Sequence, residues 1–207
     1  MIRKKKKKKV FIVHGYKGSP EHHWYPWLKQ QVLSTGHTCE VIDLEHPEQP
    51  QYELWKHNIT QQIKSLNDDT IIVAHGLGGI ASLDFLSSEL LGRKLGALFL
   101  VAGFSKNLAV LPELNLFLQH ARVDDALLRM NILNRFIFFS NNDPFVPAPV
   151  SIQLGYSLNS QMIEVKGAGH FMATEGYTSL TVLWEKLAVL LQPESQAGTQ
   201  AAYSILS

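Results

Sequence analysis

The chain has little cysteine, a low fraction of charged residues and no long apolar run. Its one cysteine, Cys39, excludes an intramolecular disulfide framework and fits a reducing compartment, so we expect a cytoplasmic protein with a buried structural thiol. No apolar run approaches the roughly 18 residues of a membrane-spanning helix. With 207 residues, 45% of them hydrophobic and 18% charged, the sequence has the size and composition of one globular domain with a sizeable core.

Positive charge is concentrated at the start of the chain. Seven of the 19 Lys and Arg residues lie at positions 3–9, which leaves 12 against 18 Asp and Glu residues in the rest. The run does not read as a signal peptide, because only residues 10–13 are apolar before His14 and a signal peptide needs about 7–15. A basic run could contact anionic lipid or nucleic acid, but nothing else in the chain resembles a nucleic-acid groove. We interpret residues 1–9 as a solvated basic arm and expect no nucleic-acid partner and no stable membrane association.

Short apolar segments alternate with amphipathic segments along the rest of the chain. Strands are predicted at residues 10–13, 39–44, 71–73, 95–102, 135–140 and 161–165. Helices are predicted at residues 21–33, 52–66, 77–91, 148–158 and 180–191. The alternation predicts an α/β fold, a six-stranded parallel sheet with helices on both faces, in one domain over residues 10–192. A small, polar and loose tail is expected at residues 193–207.

About thirty residues separate the fourth and fifth predicted strands, more than an ordinary crossover needs. We expect one or two short helices there, lying partly over the site. In such sheets the site forms at the carboxyl ends of the strands, so the residues that follow each strand are the candidates for function.

The stretch T-I-I-V-A-H-G-L-G-G-I-A-S at residues 70–82 has the form of a nucleophile elbow. In this strand–turn–helix motif, written small-x-Ser-x-small, the turn raises a serine above the sheet. The small residues here are Ala74 and Gly78, and a further glycine, Gly79, is expected to let the helix pack closely. Gly76 stands where the serine belongs. Glycine accepts the strained positive φ of such a turn, so the fold should survive without the serine.

Two further polar residues follow predicted strands in the order typical of α/β-hydrolases. Asp143 comes after the fifth strand and His170 after the sixth. In a working triad the histidine takes the proton of the serine and the acid holds the imidazole tautomer. Alone, each residue has a simpler interpretation, since Asp143 precedes a proline at a turn and His170 could be an ordinary loop histidine. Their joint placement after the two appropriate strands favours the acid and base roles.

The loop His14-Gly15-Tyr16 follows the first strand, where such enzymes place one donor of the oxyanion hole. The second donor would be the backbone N–H of Leu77, the residue after the nucleophile position. A glycine-rich turn after a strand could instead hold a phosphate. The spacings G-x-x-x-x-G-K-[ST] and G-x-G-x-x-G are absent from the sequence, so we expect no nucleotide cofactor.

Other residues carry weaker signals. His22 and His23 show neither H-E-x-x-H spacing nor an acid-rich cluster beside them, so we expect no metal site. His75, next to the nucleophile position, is expected to pack or hydrogen-bond within the elbow rather than act in catalysis. The aromatic residues around Tyr25 are interpreted as a helix face, with a substrate platform as the alternative.

Taken together, the motifs resemble one small family. These are V-F-I-V-H-G-Y-K-G-S-P followed by H-W-Y-P-W-L, V-A-H-G-L-G-G, S-N-N-D-P-F-V-P and G-A-G-H-F, and they extend over roughly residues 10–191. The chain resembles the YdeN-like serine hydrolases, the group that includes retinoblastoma-binding protein 9. The resemblance implies a compact α/β-hydrolase with a minimal cap, a Ser-Asp-His triad and esterase-like or peptidase-like activity on a small ester or peptide-like substrate. It assigns the acid to Asp143, the base to His170 and the oxyanion donors to the neighbourhood of Tyr16 and Leu77.

The sequence departs from the family at position 76, and no other serine replaces the nucleophile convincingly. Ser82 lies well into the helix after the elbow, and nothing around Ser105 would activate it. Three interpretations follow. The chain is a hydrolase-family protein that lacks its nucleophile, through a natural or an introduced change; or it is a binding or regulatory protein, with an unknown protein partner possible; or His170 activates water directly, the least favoured of the three.

Overall fold

The computed structural model describes residues 6–192. Its strands are β1 (Lys9–Val13), β2 (Thr38–Ile42), β3 (Thr70–His75), β4 (Leu95–Val101), β5 (Ile132–Phe139) and β6 (Gln161–Glu164). Its α-helices are α1 (Tyr25–Ser34), α2 (Tyr52–Gln62), α3 (Leu77–Glu89), α4 (Asn115–His120), α5 (Asp125–Asn131), α6 (Ala148–Ser157) and α7 (Thr181–Leu191). Short 3₁₀ turns occur at Pro112–Leu114 and Ala173–Glu175. None of the helices in this part of the chain is long and apolar enough to cross a membrane.

The six strands form one parallel sheet in the order β2-β1-β3-β4-β5-β6, so the predicted α/β fold is confirmed. The chain steps from β1 to one side for β2 and returns to the other side for β3. Ligands of open parallel sheets bind at this kind of reversal, outside the carboxyl ends of the strands. The residues that follow β1 and β3 are therefore the ones that the topology places at the crevice.

Alternate residues of the buried strands supply two separate cores, one on each face of the sheet. In β1, Phe11 and Val13 belong to the core on one face, whereas Val10 and Ile12 belong to the core on the other. This follows from the period of two along a strand. Helices α2 and α3 cover the first face, and α1 and α7 cover the second.

The long connection between β4 and β5 contains α4 and α5, as expected, and it is attached to α3 through the buried carboxylate of Asp84. This carboxylate accepts hydrogen bonds from the backbone N–H of Arg122 at 2.7 Å and from the Tyr52 hydroxyl at 3.0 Å. The Lys56 ammonium lies 3.1 Å from its second oxygen. Before α4, the Glu113 carboxylate of the same connection accepts from the Tyr16 hydroxyl at 3.4 Å, so the connection reaches the loop after β1.

The structure shifts some of the element ends that the sequence suggests. Helix α1 begins at Tyr25 rather than at residue 21, because His23 has a φ of 54°, which a right-handed helix cannot contain. Strand β1 begins at Lys9, and the Lys6 ammonium lies 2.7 Å from Asp69 Oδ2, so this part of the predicted arm is held against the domain. Residues 1–5 of that arm and the predicted tail lie outside the described residues.

Helix α3 passes very close to the end of β1. A Cβ built on Gly78 would overlap the carbonyl oxygen of His14 and lie 2.8 Å from that of Val13. Gly79, to which the sequence analysis assigned the close packing, faces Leu100, and a Cβ there would lie 3.5 Å from Leu100 Cδ2, an ordinary contact. That assignment was therefore wrong by one residue, because the helix turns Gly78 rather than Gly79 toward β1.

This difference predicts opposite effects of two neighbouring alanine substitutions. We expect Gly78→Ala to lower the free energy of unfolding by about 1–3 kcal/mol or more, since a β1 carbonyl cannot yield without disturbing the sheet. Gly79→Ala should be neutral or stabilising by up to about 1 kcal/mol, because alanine loses less backbone entropy than glycine. Urea unfolding of the two variants and the parent measures both. Equal effects would contradict the placement of the close contact.

Candidate active site

The turn between β3 and α3 aims position 76 at His170. Gly76 has φ 52° and ψ −123°, and its N–H donates to the carbonyl of Val101 at 2.9 Å. This backbone conformation is unfavourable for residues with a side chain, and glycine adopts it without strain. A Cβ built on Gly76 would lie 3.2 Å from His170 Nε2 and 3.7 Å from Cε1. Any side chain at this position would therefore begin against the imidazole.

Asp143 and His170, on the loops after β5 and β6, are joined by a hydrogen bond of 2.8 Å between Oδ2 and Nδ1. The other oxygen, Oδ1, accepts from the backbone N–H groups of Phe145 at 2.8 Å and Val146 at 2.9 Å. The Asp143 side chain is 1% exposed and that of His170 is 16% exposed. Since a carboxylate only accepts hydrogen bonds, Nδ1 carries the proton in the neutral ring and Nε2 presents its lone pair toward position 76.

Three residues that the sequence analysis did not single out connect the acid loop to the histidine loop. The side chains of Ser140, Asn141 and Asn142 accept hydrogen bonds from the backbone N–H groups of residues 167–169, at 2.8–3.0 Å. They directly precede Asp143 in the chain. The run S-N-N-D is part of one of the motifs quoted above, but the partners of its side chains are 26 to 28 residues further along the chain.

The His170 loop is closed from its other end by Glu175. Its Oε2 accepts from the backbone N–H groups of His170 at 2.8 Å and Met172 at 3.0 Å. The edge of the Phe145 ring meets the His170 ring with the centroids 5.3 Å apart and the planes at 85°. The backbone and the ring of His170 are thus both held, so Nε2 has a defined direction.

The loop after β1 packs against the elbow and brings both expected oxyanion donors to this edge of the sheet. A Cβ built on Gly15 would lie 2.8 Å from the carbonyl oxygen of His75 and 3.5 Å from the backbone nitrogen of Leu77. Leu77 is the first residue of α3, so its N–H has no acceptor within the helix, and the helix dipole favours negative charge there. Tyr16 follows Gly15 directly.

His14, the first residue of this loop, is fully buried and serves the structure. Its Nε2 accepts from the backbone N–H of Leu44 at 3.2 Å, so Nδ1 donates to the carbonyl of Gly15 at 3.0 Å. Burial lowers the pKa of this imidazole, which keeps the ring neutral. The ring fixes the start of the loop by its two hydrogen bonds.

A groove of about 350 Å³ lies beside the expected oxyanion loop. It is lined by Tyr16, residues 48–51, Glu113 and Leu114. Tyr16 belongs both to this groove and to the loop against the elbow, whereas Gly76 and His170 do not line the groove.

Neither Ser82 nor Cys39 provides a reactive group to the site. Ser82 is fully buried and donates to the carbonyl of Gly78 at 2.7 Å, within α3. Cys39 is buried, and burial raises the pKa of its thiol to about 12. Across residues 6–192 no three His, Cys, Asp or Glu side chains are grouped as a metal would require.

Comparison with known proteins identifies the family of the chain. A family model described as serine hydrolase matches residues 10–192. The chain is 34% identical to YdeN of Bacillus subtilis over 189 residues, 91% of this chain and 99% of that protein. It is 23% identical to the serine hydrolase RBBP9 of Rattus norvegicus, over 88% of this chain and 97% of that one. The crystal structure of the B. subtilis ydeN gene product superposes with a TM-score of 0.85 at 34% identity, over 88% of this chain and 98% of that one.

Proposed function

Because the chain belongs to the serine hydrolase family, we propose that its site is built for ester or amide hydrolysis through a serine, Asp143 and His170, and that Gly76 leaves the chain without covalent activity. One observation carries the proposal: a Cβ at position 76 points to Nε2 of His170 at 3.2 Å. A hydroxyl on a side chain that starts there could exchange a proton with that nitrogen across one hydrogen bond.

Each part has a role in the reaction for which this arrangement is suited. With a serine at position 76, His170 Nε2 takes the hydroxyl proton while Oγ attacks the substrate carbonyl carbon. Asp143 keeps the proton of the ring on Nδ1 and stabilises the imidazolium that forms. The N–H groups of Tyr16 and Leu77 donate to the oxyanion, and His170 then returns the proton to the leaving group. Water then attacks the acyl carbon while His170 takes its proton, and His170 returns that proton to the serine oxygen as the acid product leaves.

The family implies a small-molecule substrate, and the groove beside Tyr16 has room for a short acyl or leaving group. With glycine at position 76, no bond to the substrate carbonyl can form at this residue. Oxyanion donors and binding alone leave about 10³–10⁴-fold acceleration over water when a triad member is missing. We therefore expect slow turnover of activated esters at most. A cytoplasmic location remains part of the proposal and rests on the single cysteine.

A second candidate function is binding or regulation by a protein that keeps the pocket and does no covalent chemistry. The observation that favours it is the intact hydrogen bond of 2.8 Å between Asp143 and His170 in a chain that has no serine to activate.

A third possibility, direct activation of water by His170, predicts that His170→Ala abolishes any residual turnover. We expect that turnover to persist in the variant.

A fluorophosphonate probe tests the absence of a nucleophile in the chain as it stands. Such probes require an activated serine, so we expect no mass increase of the intact protein after incubation. Gly76→Ser, treated in parallel, should gain one adduct at position 76. Ser82→Ala and Ser105→Ala serve as controls for the two remaining candidates. Stoichiometric labelling of the parent that either control removes would show that the nucleophile lies elsewhere.

A further inference from the structure

His75 lies in the middle of a hydrogen-bonded chain that connects three parts of the site. Its Nδ1 is 2.6 Å from the Tyr25 hydroxyl, and its Nε2 is 2.8 Å from the carbonyl oxygen of His170. The chain therefore runs from α1, through the end of β3, to the loop that carries His170.

The direction of every hydrogen bond in this chain follows from its ends. The carbonyl of His170 can only accept, so His75 Nε2 carries a proton. His75 is 3% exposed, and burial and the neighbouring His170 and His23 hold its pKa well below the usual value, so the ring is neutral and Nδ1 is an acceptor. Tyr25, whose pKa is raised by burial, keeps its proton and donates it to Nδ1.

The two nitrogens of the His75 ring therefore have different roles: Nδ1 accepts a hydrogen bond and Nε2 donates one, and these roles cannot be reversed. If Tyr25 did not donate to Nδ1, the proton of the neutral ring could move there, and Nε2 would then present a lone pair to the carbonyl of His170. Two acceptors would face each other at 2.8 Å, and the loop would have to move. Tyr25 thus holds His75 in the tautomer that binds the His170 loop.

The His75 ring also limits where the His170 ring can lie. Their centroids are 4.9 Å apart with the planes at 31°, and the edge of Phe145 meets the His170 ring from another direction. His75 is the last residue of β3 and directly precedes Gly76, so the residue that fixes the loop of the base is covalently next to the nucleophile position. A shift of the elbow would therefore move position 76 and His75 together.

We propose that His75, locked in one tautomer by Tyr25, is a positioning residue that holds His170 Nε2 at hydrogen-bonding distance from position 76. This rests on the proposed function, because the distance matters only if a serine at position 76 reacts. His75 touches no substrate in this proposal and exchanges no proton during the reaction. The sequence alone led us to expect only that His75 packs or hydrogen-bonds within the elbow.

Kinetics in the Gly76→Ser background provide the first test. A misplacement of about 1 Å costs on the order of 10²-fold in rate, so we expect His75→Leu to lower kcat by about that factor while KM changes little. His75→Gln should restore most of kcat, because its amide can donate to the His170 carbonyl and accept from Tyr25. Tyr25→Phe should give an intermediate loss. His57→Leu, which removes an exposed histidine of α2, is the control and should leave kcat unchanged.

A proton NMR measurement on the parent protein, with Gly76 in place, separates this inference from the proposed function. The downfield signal of the His170 Nδ1–H bonded to Asp143 is assigned by its loss in His170→Ala. We expect the signal to be shifted or lost in His75→Leu and Tyr25→Phe, and retained in His75→Gln and His57→Leu.

The two measurements have separable outcomes. If Gly76→Ser is inactive but the signal changes as expected, the positioning role stands and the proposed hydrolysis fails. If Gly76→Ser is active and folded His75→Leu and Tyr25→Phe proteins keep both kcat and the signal, the positioning role is overturned. Should His75→Leu fail to fold, Tyr25→Phe and His75→Gln decide the question by the same two readouts.

Discussion

Gly76→Ser is expected to convert this protein into a working esterase, with hydrolysis of p-nitrophenyl acetate and butyrate rising by several orders of magnitude. The reason is that the rest of the site is already placed. The new Cβ would lie 3.2 Å from His170 Nε2, so the hydroxyl could reach the imidazole with a small movement of the ring. Loss of the serine from such a triad costs about 10⁶-fold in turnover, which sets the upper limit of the gain.

Gly76→Ala is the matched control for this gain, because it adds the same Cβ in the same backbone conformation without the hydroxyl. It should show no more activity than the parent. Adding His170→Ala to Gly76→Ser should remove the gain, since the hydroxyl then has no base. A folded Gly76→Ser protein with no gain on several short esters would instead favour a binding or regulatory function for the pocket.

The same substitution should lower stability. Gly76 has φ 52°, and a residue with a Cβ in such a conformation carries strain of about 1–3 kcal/mol. For a domain of this size each kcal/mol lowers Tm by about 2–4 °C, so a fall of a few degrees is expected. Gly76→Ala should lose a similar amount, because the strain comes from the Cβ. If Gly76→Ser raises activity and lowers Tm, whereas Gly76→Ala only lowers Tm, the gain in activity comes from the hydroxyl and the loss of stability from the strained backbone.

The sequence predicted the number of strands and their parallel arrangement because the signal for a parallel sheet is local. Short apolar segments alternate with amphipathic ones, and this alternation can be recognised without knowing which segments contact each other in the fold. The same holds for Gly76, Asp143 and His170, which each lie in the turn or loop after a strand. Since parallel strands present their carboxyl ends at one edge, their proximity could be expected before any distance was known.

What the sequence did not predict depends on contacts between distant parts of the chain. Whether Gly78 or Gly79 must be small is decided by the rotation of α3 against the carbonyls at the end of β1. The start of α1 depends on the positive φ of His23, whose ring accepts from the backbone N–H of Ala173 at 3.0 Å, 150 residues away.

The hydrogen-bond partners of His75 could not be predicted for the same reason. Its two partners, Tyr25 and His170, are 50 and 95 residues away in sequence. A histidine beside a nucleophile position has no periodic pattern that distinguishes packing from positioning. Packing and positioning are distinguished only by the two hydrogen bonds of the ring, which accepts at Nδ1 and donates at Nε2.

In the Gly76→Ser protein, Asp143→Asn is expected to lower kcat by about 10⁴-fold with little change in KM or Tm. Oδ1 of Asp143 accepts from the backbone N–H groups of Phe145 and Val146, so the amide oxygen of asparagine should take that place. The amide nitrogen would then face His170 Nδ1, where Oδ2 now accepts at 2.8 Å. Two donors cannot face each other, so the ring would move its proton to Nε2. That nitrogen could then no longer accept the proton of the serine.

This result would distinguish control of the tautomer from a simple loss of charge or of folding. Asp68→Asn, which removes an exposed carboxylate just before β3 at the opposite edge of the sheet, should leave kcat unchanged. Asp143→Ala, which cannot donate to Nδ1, should retain more activity than Asp143→Asn if the tautomer is the main effect, although it loses the two backbone contacts. Equal activity of Asp143→Asn and the Gly76→Ser parent would show that Asp143 does not orient the base, and the acid would have to be sought elsewhere. Because Asn keeps the loop contacts and changes only what faces Nδ1, a loss of kcat at unchanged Tm would assign the effect to that one hydrogen bond.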